Sequence, residues 1–497
     1  MDIDQLYFAC LTKGERDILT ARTVSNYCVS PFLIYCEKFV PPEKKDPLSE
    51  FNQLLMKQGK LQEDQVITEK YPNIEKTKFE TPEEGFRLVL DAMKKGTSAI
   101  LNAPIFYLQQ GMMGIADVLE KKVGVHSLFG KYYYVVKEIK LAKNIRKDKF
   151  IFQGAFYNHI IGKIQGYTPP LFYLVNRDLE EFEQKYVEDS LLRKISDIRD
   201  ILNGKSVTPT FGACDETQWK TYTNEQAIKL RDVSLVNGCG ASLKETLVEN
   251  GIETFDQLAK TPKEKLILLK GIRDKTAEKL FRNSNALVLG NHIRIGTFEE
   301  FPVKTTEIFL DLEGTGEQVG EEELISMDYL IGVLVRKDRR TYYKPFLAEN
   351  LDKEGEMFYN FVNWIGKQKD FIIYHWYNYE RVHLQRMAKR HNLSQKKLDS
   401  IFSNMRDLYK DATLAFVFPT YGNGLKDIAP YIGYKWKHEK VDALESIAIY
   451  LQYVEDKKTN KERMQKVIDY NTDDCEATLL IKDWLEKEVK KQVETSI

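Results

Sequence analysis

Thr306-Glu-Ile-Phe-Leu-Asp311-Leu-Glu313-Gly314 is an apolar run that ends in two carboxylates just before a glycine. On a strand, side chains two apart point the same way, so Asp311 and Glu313 share one face of the strand end. Like charges gathered there are costly without a cation, and a pair of magnesium ions would offset the repulsion. Outward from this run, a second apolar strand, Ile331-Gly-Val-Leu-Val335, comes next. A helix over 356–366 follows, then a strand, Phe371-Ile-Ile-Tyr374, that runs into His375-Trp-Tyr-Asn-Tyr-Glu380 and another helix. Near the end, Val467-Ile-Asp-Tyr470-Asn-Thr-Asp-Asp474 reads as an amphipathic helix, whose four-residue spacing sets Tyr470 beside Asp474. The tyrosine spacing favours Asp474 over its neighbour Asp473, which reads as a solvated helix residue. Strands interleaved with helices make residues 296–497 an α/β domain.

The ordered set of Asp-x-Glu, a mid-domain carboxylate and Tyr-x-x-x-Asp resembles the RNase H-like exonucleases with four acidic residues and a tyrosine (the DEDD group, tyrosine variant). Within that group it is similar to the YprB-type branch, some members of which are joined to a RecB-type domain. The resemblance covers about 304–490, including Asp407-Leu-Tyr409 and Gly424-Leu-Lys-Asp-Ile-Ala-Pro-Tyr-Ile-Gly433. It implies that Asp311, Glu313, Glu380 and Asp474 bind metal, and that Tyr470 orients or deprotonates the attacking water. Glu380 departs from the pattern, because most such exonucleases have Asp there; the longer side chain reaches a metal directly or through water. His375 reads either as a contact to these groups or to substrate, or as a packed residue.

Upstream lies a second α/β pattern, residues 1–190. Strands are read at Pro104-Ile-Phe-Tyr-Leu108, Gly114-Ile-Ala-Asp117-Val-Leu119, Tyr132-Tyr-Tyr-Val-Val-Lys-Glu138-Ile-Lys140 and Leu171-Phe-Tyr-Leu-Val175, with a helix over 150–164. Period two puts Glu138 and Lys140 on one strand face, with Asp117 on the preceding strand. Two carboxylates from adjacent strands suit a magnesium site built from oxygens, and the ammonium suits the attacking water or the phosphate. Gln153 and Tyr157 stand four apart on the helix that follows. Gly-x-x-Asp, Glu-x-Lys and Gln-x-x-x-Tyr in this order resemble the RecB-type nucleases of the PD-(D/E)xK fold. The resemblance covers about 20–180, with Ser25-Asn-Tyr-Cys-Val-Ser-Pro31 and Gly59-Lys-Leu-Gln-Glu63. It implies that Asp117 and Glu138 are metal ligands, Glu63 a further ligand, Lys140 catalytic, and Gln153 and Tyr157 contacts to the DNA end. Many relatives carry an iron–sulfur cluster on four cysteines. Here Cys214 stands alone in Cys214-Asp-Glu-Thr217-Gln-Trp219-Lys-Thr-Tyr-Thr223, with threonines at the other expected positions. Even with Cys28 and Cys36 the set falls short of the four placed sulfurs a cluster needs, so none is expected.

Between the two lies a helical section, 191–295. Leu266-Ile-Leu-Leu-Lys270-Gly271-Ile-Arg273-Asp-Lys275-Thr276-Ala-Glu-Lys-Leu-Phe281 reads as helix, glycine turn, helix, and resembles the helix-hairpin-helix motif. By that likeness Lys270, Gly271, Arg273, Lys275 and Thr276 would hold a DNA phosphate through backbone N–H groups and charge, without reading bases. Residues 260–283 hold eight Lys/Arg against three acidic residues. The partner half is placed at Val233–Leu258, where Asn237-Gly-Cys-Gly240 departs from the usual turn.

The whole chain carries 73 Lys+Arg against 74 Asp+Glu, so any phosphate-binding surface is local rather than global. At 497 residues it exceeds a single core, and no apolar run is long enough to span a membrane. Scattered cysteines and the lack of a leader pattern point to the cytoplasm. The expectation is a Mg2+- or Mn2+-dependent DNA nuclease with two nuclease folds, acting on single strands or duplex ends in repair, recombination or nucleic-acid processing. Two alternatives stand beside it. One is RNA trimming by the C-terminal domain; the other is a non-catalytic DNA-binding scaffold for a helicase or repair complex.

Overall fold

The computed structural model describes residues 2–142, 144–316, 326–338, 340–437, 441 and 443–495. They divide into two compact units, Met1–Leu48 with Leu55–Lys229, and Ser49–Leu54 with Leu230–Ile497.

The sheet of the first unit contains β1 (Ala99–Tyr107), β2 (Met112–Ser127), β3 (Gly130–Ile139), β4 (Leu171–Val175) and β5 (Glu181–Lys185), in that spatial order. The first three form an antiparallel meander, while β3 and β4 run parallel. Parallel neighbours need a crossover, and the helix Asp148–Gln165 supplies it. Its Phe156, Ile160, Ile161 and Ile164 are fully buried in one core with Tyr134, Val136, Phe172 and Leu174. The helix Glu188–Leu202 adds Leu191, Ile195, Ile198 and Ile201 to the same core. That apolar stripe at three- and four-residue spacing explains why this helix, grouped by composition with the central section, packs with the first unit, which runs on to Lys229.

In the second unit the turn at Lys270-Gly271-Ile272 lies between the helices Lys263–Leu266 and Asp274–Leu289, with Gly271 at φ +81°. The earlier helix is shorter than the sequence reading. Ile267 and Leu268 are exposed, and the chain advances by tight turns (Leu269 N to Leu266 O, 3.1 Å; Ile272 N to Leu269 O, 3.1 Å) instead of continuing the helix. Ala277 and Leu280 are buried on the following helix, as their spacing predicts. Upstream, Lys244 and Asp232 form a buried ion pair at 2.7 Å, so this half is tied by internal charge.

β6 (Ile293–Arg294) leads to the main sheet of β7 (Thr306–Gly314), β8 (Asp328–Lys337), β9 (Arg340–Leu347), β10 (Phe371–His375) and β11 (Met405–Asp407); β12 (Phe416–Val417) pairs back with β6. The order is β11-β10-β7-β8-β9, antiparallel from β7 to β9 and parallel from β7 through β10 to β11. Central β7 is covered on both faces, which accounts for its unbroken Ile308-Phe-Leu310 core. The long helix Lys457–Thr495 packs on β7 and β8. Among the described residues no helix is long and apolar enough to cross a membrane.

Candidate functional site

Two acidic centres result, one in each unit. In the first, β2 and β3 pair with Val118 opposite Lys137, which brings Asp117 level with Glu138. Glu138 is 1% exposed and accepts hydrogen bonds from the Asp117 N–H (3.3 Å), Lys140 Nζ (3.0 Å) and Gln153 Nε2 (3.4 Å). Asp117 Oδ2 accepts from the Ile139 N–H at 2.7 Å. Burial, reinforced by Asp117 and opposed by Lys140, pushes the Glu138 carboxyl up to about 8. Asp117 is raised as well, first by burial. Lys140 stays above its ordinary value: burial pulls it down, but Glu138 and Asp117 outweigh that. Tyr157 lies against Gly114, where an added Cβ would stand 2.5 Å from the tyrosine ring, so the glycine of Gly-x-x-Asp is the room for that ring. Glu63, on the helix Glu50–Lys70, is paired with Lys76 at 2.8 Å; its charge raises Asp117, so it stands near this centre without closing it. Lys270, Arg273, Lys275 and Thr276 lie around the hairpin turn of the second unit.

In the second unit Asp311 and Glu313 project from the end of β7, and Asp474 comes from the long helix. A ligand oxygen of each lies within 4.8 Å of the others; among the described residues this is the one such group of three. They line a cleft of about 490 Å³ with Glu380, Tyr470 and Tyr379. Burial, with Asp474 next, pushes Glu313 up to about 8; burial raises Asp474 to about 6. Asp311 is raised well above the ordinary carboxylate range, by burial and then by Asp474, Glu313 and Glu380. Glu380 is 3% exposed, and among the described residues its Oε2 has no hydrogen bond. His375 Nδ1 is 3.4 Å from that oxygen but is bonded to the Tyr377 carbonyl at 2.6 Å. His375 is thus a buried neighbour of Glu380.

The environment supplies partners that sequence reasoning did not name. Lys426 Nζ contacts the Tyr470 hydroxyl and lies 4.5 Å from its ring centroid. Its charge lowers Asp311, Glu313 and Asp474 alike. Trp436 Nε1 donates to Asp474 Oδ1 at 2.6 Å, and Ser446 Oγ to Glu313 Oε2 at 3.3 Å. Fully buried Asn471 donates from Nδ2 to Asp311 Oδ2 at 2.6 Å. The only signal for these lay in the quoted motifs, which contain Lys426 and Asn471 without assigning them roles. Asp473 is a correction. It is 1% exposed rather than solvated, because the Tyr434 hydroxyl (3.1 Å) and the Lys437 N–H (2.8 Å) satisfy it from a segment that packs over the helix.

The carboxylate set fits a divalent cation. Three oxygen donors converge, burial raises their proton affinities, and a fourth carboxylate lies on the same cleft with an oxygen unclaimed. The cysteines are arranged otherwise: Cys36, Cys214 and Trp219 share one buried apolar cluster with Thr223 beside both thiols, and burial pushes Cys36 up to about 12.

No curated protein matches the chain. Residues 308–486 match a family model of the RNase_H superfamily. That span begins within β7 at Ile308 and ends beyond Asp474, so it contains the whole acidic cluster. Over that span the chain is similar to RNase H-like domains, whose fold is typically that of metal-dependent nucleases, and it carries a carboxylate cluster at the end of its central strand.

Proposed function

We propose that the protein is a Mg2+- or Mn2+-dependent DNA nuclease, exonucleolytic in mode, that serves repair, recombination or nucleic-acid processing. The observation that carries this reading is the convergence of Asp311, Glu313 and Asp474 at a cleft within an RNase H-like domain. Asp311, Glu313 and Asp474 would hold the cation, with Glu380 joining from the cleft wall. When bound, it supplies charge stabilisation for the phosphate and acidifies water. Tyr470, in contact with Lys426 and close enough to Asp474 to lower that carboxyl, would orient the attacking water at the edge of the cluster. The Lys426 ammonium, beside that hydroxyl, adds positive charge where the phosphate arrives.

The first unit supports a second cleavage site of RecB type. Asp117 and Glu138 from adjacent strands, with Lys140 bonded to Glu138, form the expected trio, and Gln153 and Tyr157 border it. The hairpin at Lys270–Thr276 would add affinity for DNA phosphates. On this reading residues 1–190, 191–295 and 296–497 divide the labour of cleavage, binding and cleavage. The test is purified protein with Mg2+ or Mn2+ on end-labelled single- and double-stranded DNA and RNA, with each site disabled in turn. Cleavage of RNA alone would move the assignment to RNA trimming. Cleavage of nothing would leave a binding scaffold.

A further inference from the structure

We infer that Asn471 is a positioning residue that fixes the Asp311 carboxylate for its cation, and that Gly332 is the gap through which it does so. The inference rests on the metal-dependent reading of this site. Asp311 on β7 faces Gly332 on β8 across the ladder. Asn471 enters from the long helix and is completely buried. Its Nδ2 lies 2.6 Å from Asp311 Oδ2, and its Oδ1 accepts from the Tyr343 hydroxyl of β9 at 2.7 Å. A carboxylate only accepts, so the amide NH2 must face Asp311 and the oxygen must face the tyrosine. The same amide also lies close enough to Glu313 to lower that carboxyl.

Space for this exists only because residue 332 has no side chain. A Cβ there would stand 1.6 Å from Asn471 Oδ1 and 2.6 Å from the Tyr343 hydroxyl. The terminal torsion of an aspartate is otherwise broad. With Oδ2 held, Asp311 keeps a single orientation towards the point it shares with Glu313 and Asp474. Asn471 is fully buried and is not among the residues that line the cleft, so its effect passes through Asp311. Partners of this kind are worth roughly 10–100-fold in metal affinity or activity.

The test uses the full-length chain with the first site silenced by Glu138→Ala, and reads Mn2+ affinity from the electron paramagnetic resonance of free Mn2+, with Asp311→Ala as the baseline. Asn471→Ala should weaken Mn2+ binding roughly 10–100-fold and lower kcat with little change in KM. Tyr343→Phe should produce a smaller loss in the same direction. Gly332→Ala should reproduce the Asn471→Ala loss, although it alters no ligand. Combined with Asn471→Ala, the added methyl occupies vacated space. The double variant should then bind Mn2+ no more weakly than Asn471→Ala alone, and melt above Gly332→Ala without metal. Unchanged Mn2+ affinity in folded Asn471→Ala, or additive losses in the double variant, would overturn the inference while leaving the nuclease reading intact. If the reference chain binds no more Mn2+ than the Asp311→Ala baseline, the metal reading itself falls, and the inference with it.

Discussion

The two acidic centres differ in how their charge is balanced. In the first unit, Asp117 and Glu138 share one ammonium, and Lys140 bonds Glu138 directly at 3.0 Å. When both are ionised, two carboxylates against one cation leave one negative charge. In the second unit Lys426 lowers Asp311, Glu313 and Asp474 but touches the Tyr470 hydroxyl instead of a carboxylate, and Glu380, on the same cleft, lies beside His375. When all are ionised, four carboxylates against one ammonium leave three negative charges. Buried charge is poorly screened, so the difference matters energetically. The first centre holds much of its counter-charge within the chain, whereas the second holds less and, on the metal-dependent reading, is completed from outside.

The largest effect should appear in cleavage. Asp311→Ala or Asp474→Ala should lower activity at the second centre by roughly 10³-fold or more, as losing one member of a catalytic unit does. Glu138→Ala and Lys140→Ala should do the same to whatever activity survives. If both leave that residual cleavage intact, the first centre is not catalytic and the comparison collapses to one site.

Next comes thermal stability. Mg2+ or Mn2+ at a hundredfold excess over Kd should stabilise the unit that binds it by about 2.7 kcal/mol. Calorimetry of the full chain should show most of that shift disappearing in Asp311→Ala and less of it in Glu138→Ala. Equal losses would mean that the two centres depend on cations alike.

Without metal, charge removal should act with opposite signs. Asp311→Asn relieves repulsion and should raise the melting temperature, whereas Glu138→Gln deprives buried Lys140 of its partner and should lower it. The pH dependence follows from the same cause. Glu313, Asp474 and Glu138 hold protons in the folded chain up to about 8, 6 and 8, well above the ordinary 4.5, 3.8 and 4.5. Between these limits the folded state binds protons that the unfolded chain has released, so metal-free stability should fall as pH rises from about 5 to 8. The decline should be steeper for the second unit, and a flat profile would deny the crowding of carboxylates. The smallest effect belongs to the hairpin. Changing Lys270, Arg273 and Lys275 to Glu should flatten the salt dependence of DNA binding without altering cleavage chemistry in either centre.

Much of this was legible because it is periodic. Period two placed Asp311 beside Glu313 and Glu138 beside Lys140, and the helical repeat placed Tyr470 beside Asp474. What escaped was set by distant packing. β9 is an exposed edge strand with Pro345 in it, so it lacks both the apolar run and the alternation that mark β7 and β8. Asp473 looks like any polar helix residue until Tyr434 and Lys437, 39 and 36 residues upstream, fold over it. Asn471 carries no pattern of its own; only the bare glycine on the facing strand explains it.

The span between the strand that opens the second centre and the helix that closes it bears on when the centre exists. The Asp311–Asn471 bond joins residues 160 apart in the chain. Loop closure over such distances comes late in folding, and synthesis delivers the N-terminal side first. A growing chain therefore displays Asp311, Glu313 and Glu380 well before it has Asn471 to brace them or Asp474 to complete them. Until the last long helix docks there are carboxylates but no centre, and the hydrolysis proposed for it would begin only with the finished fold.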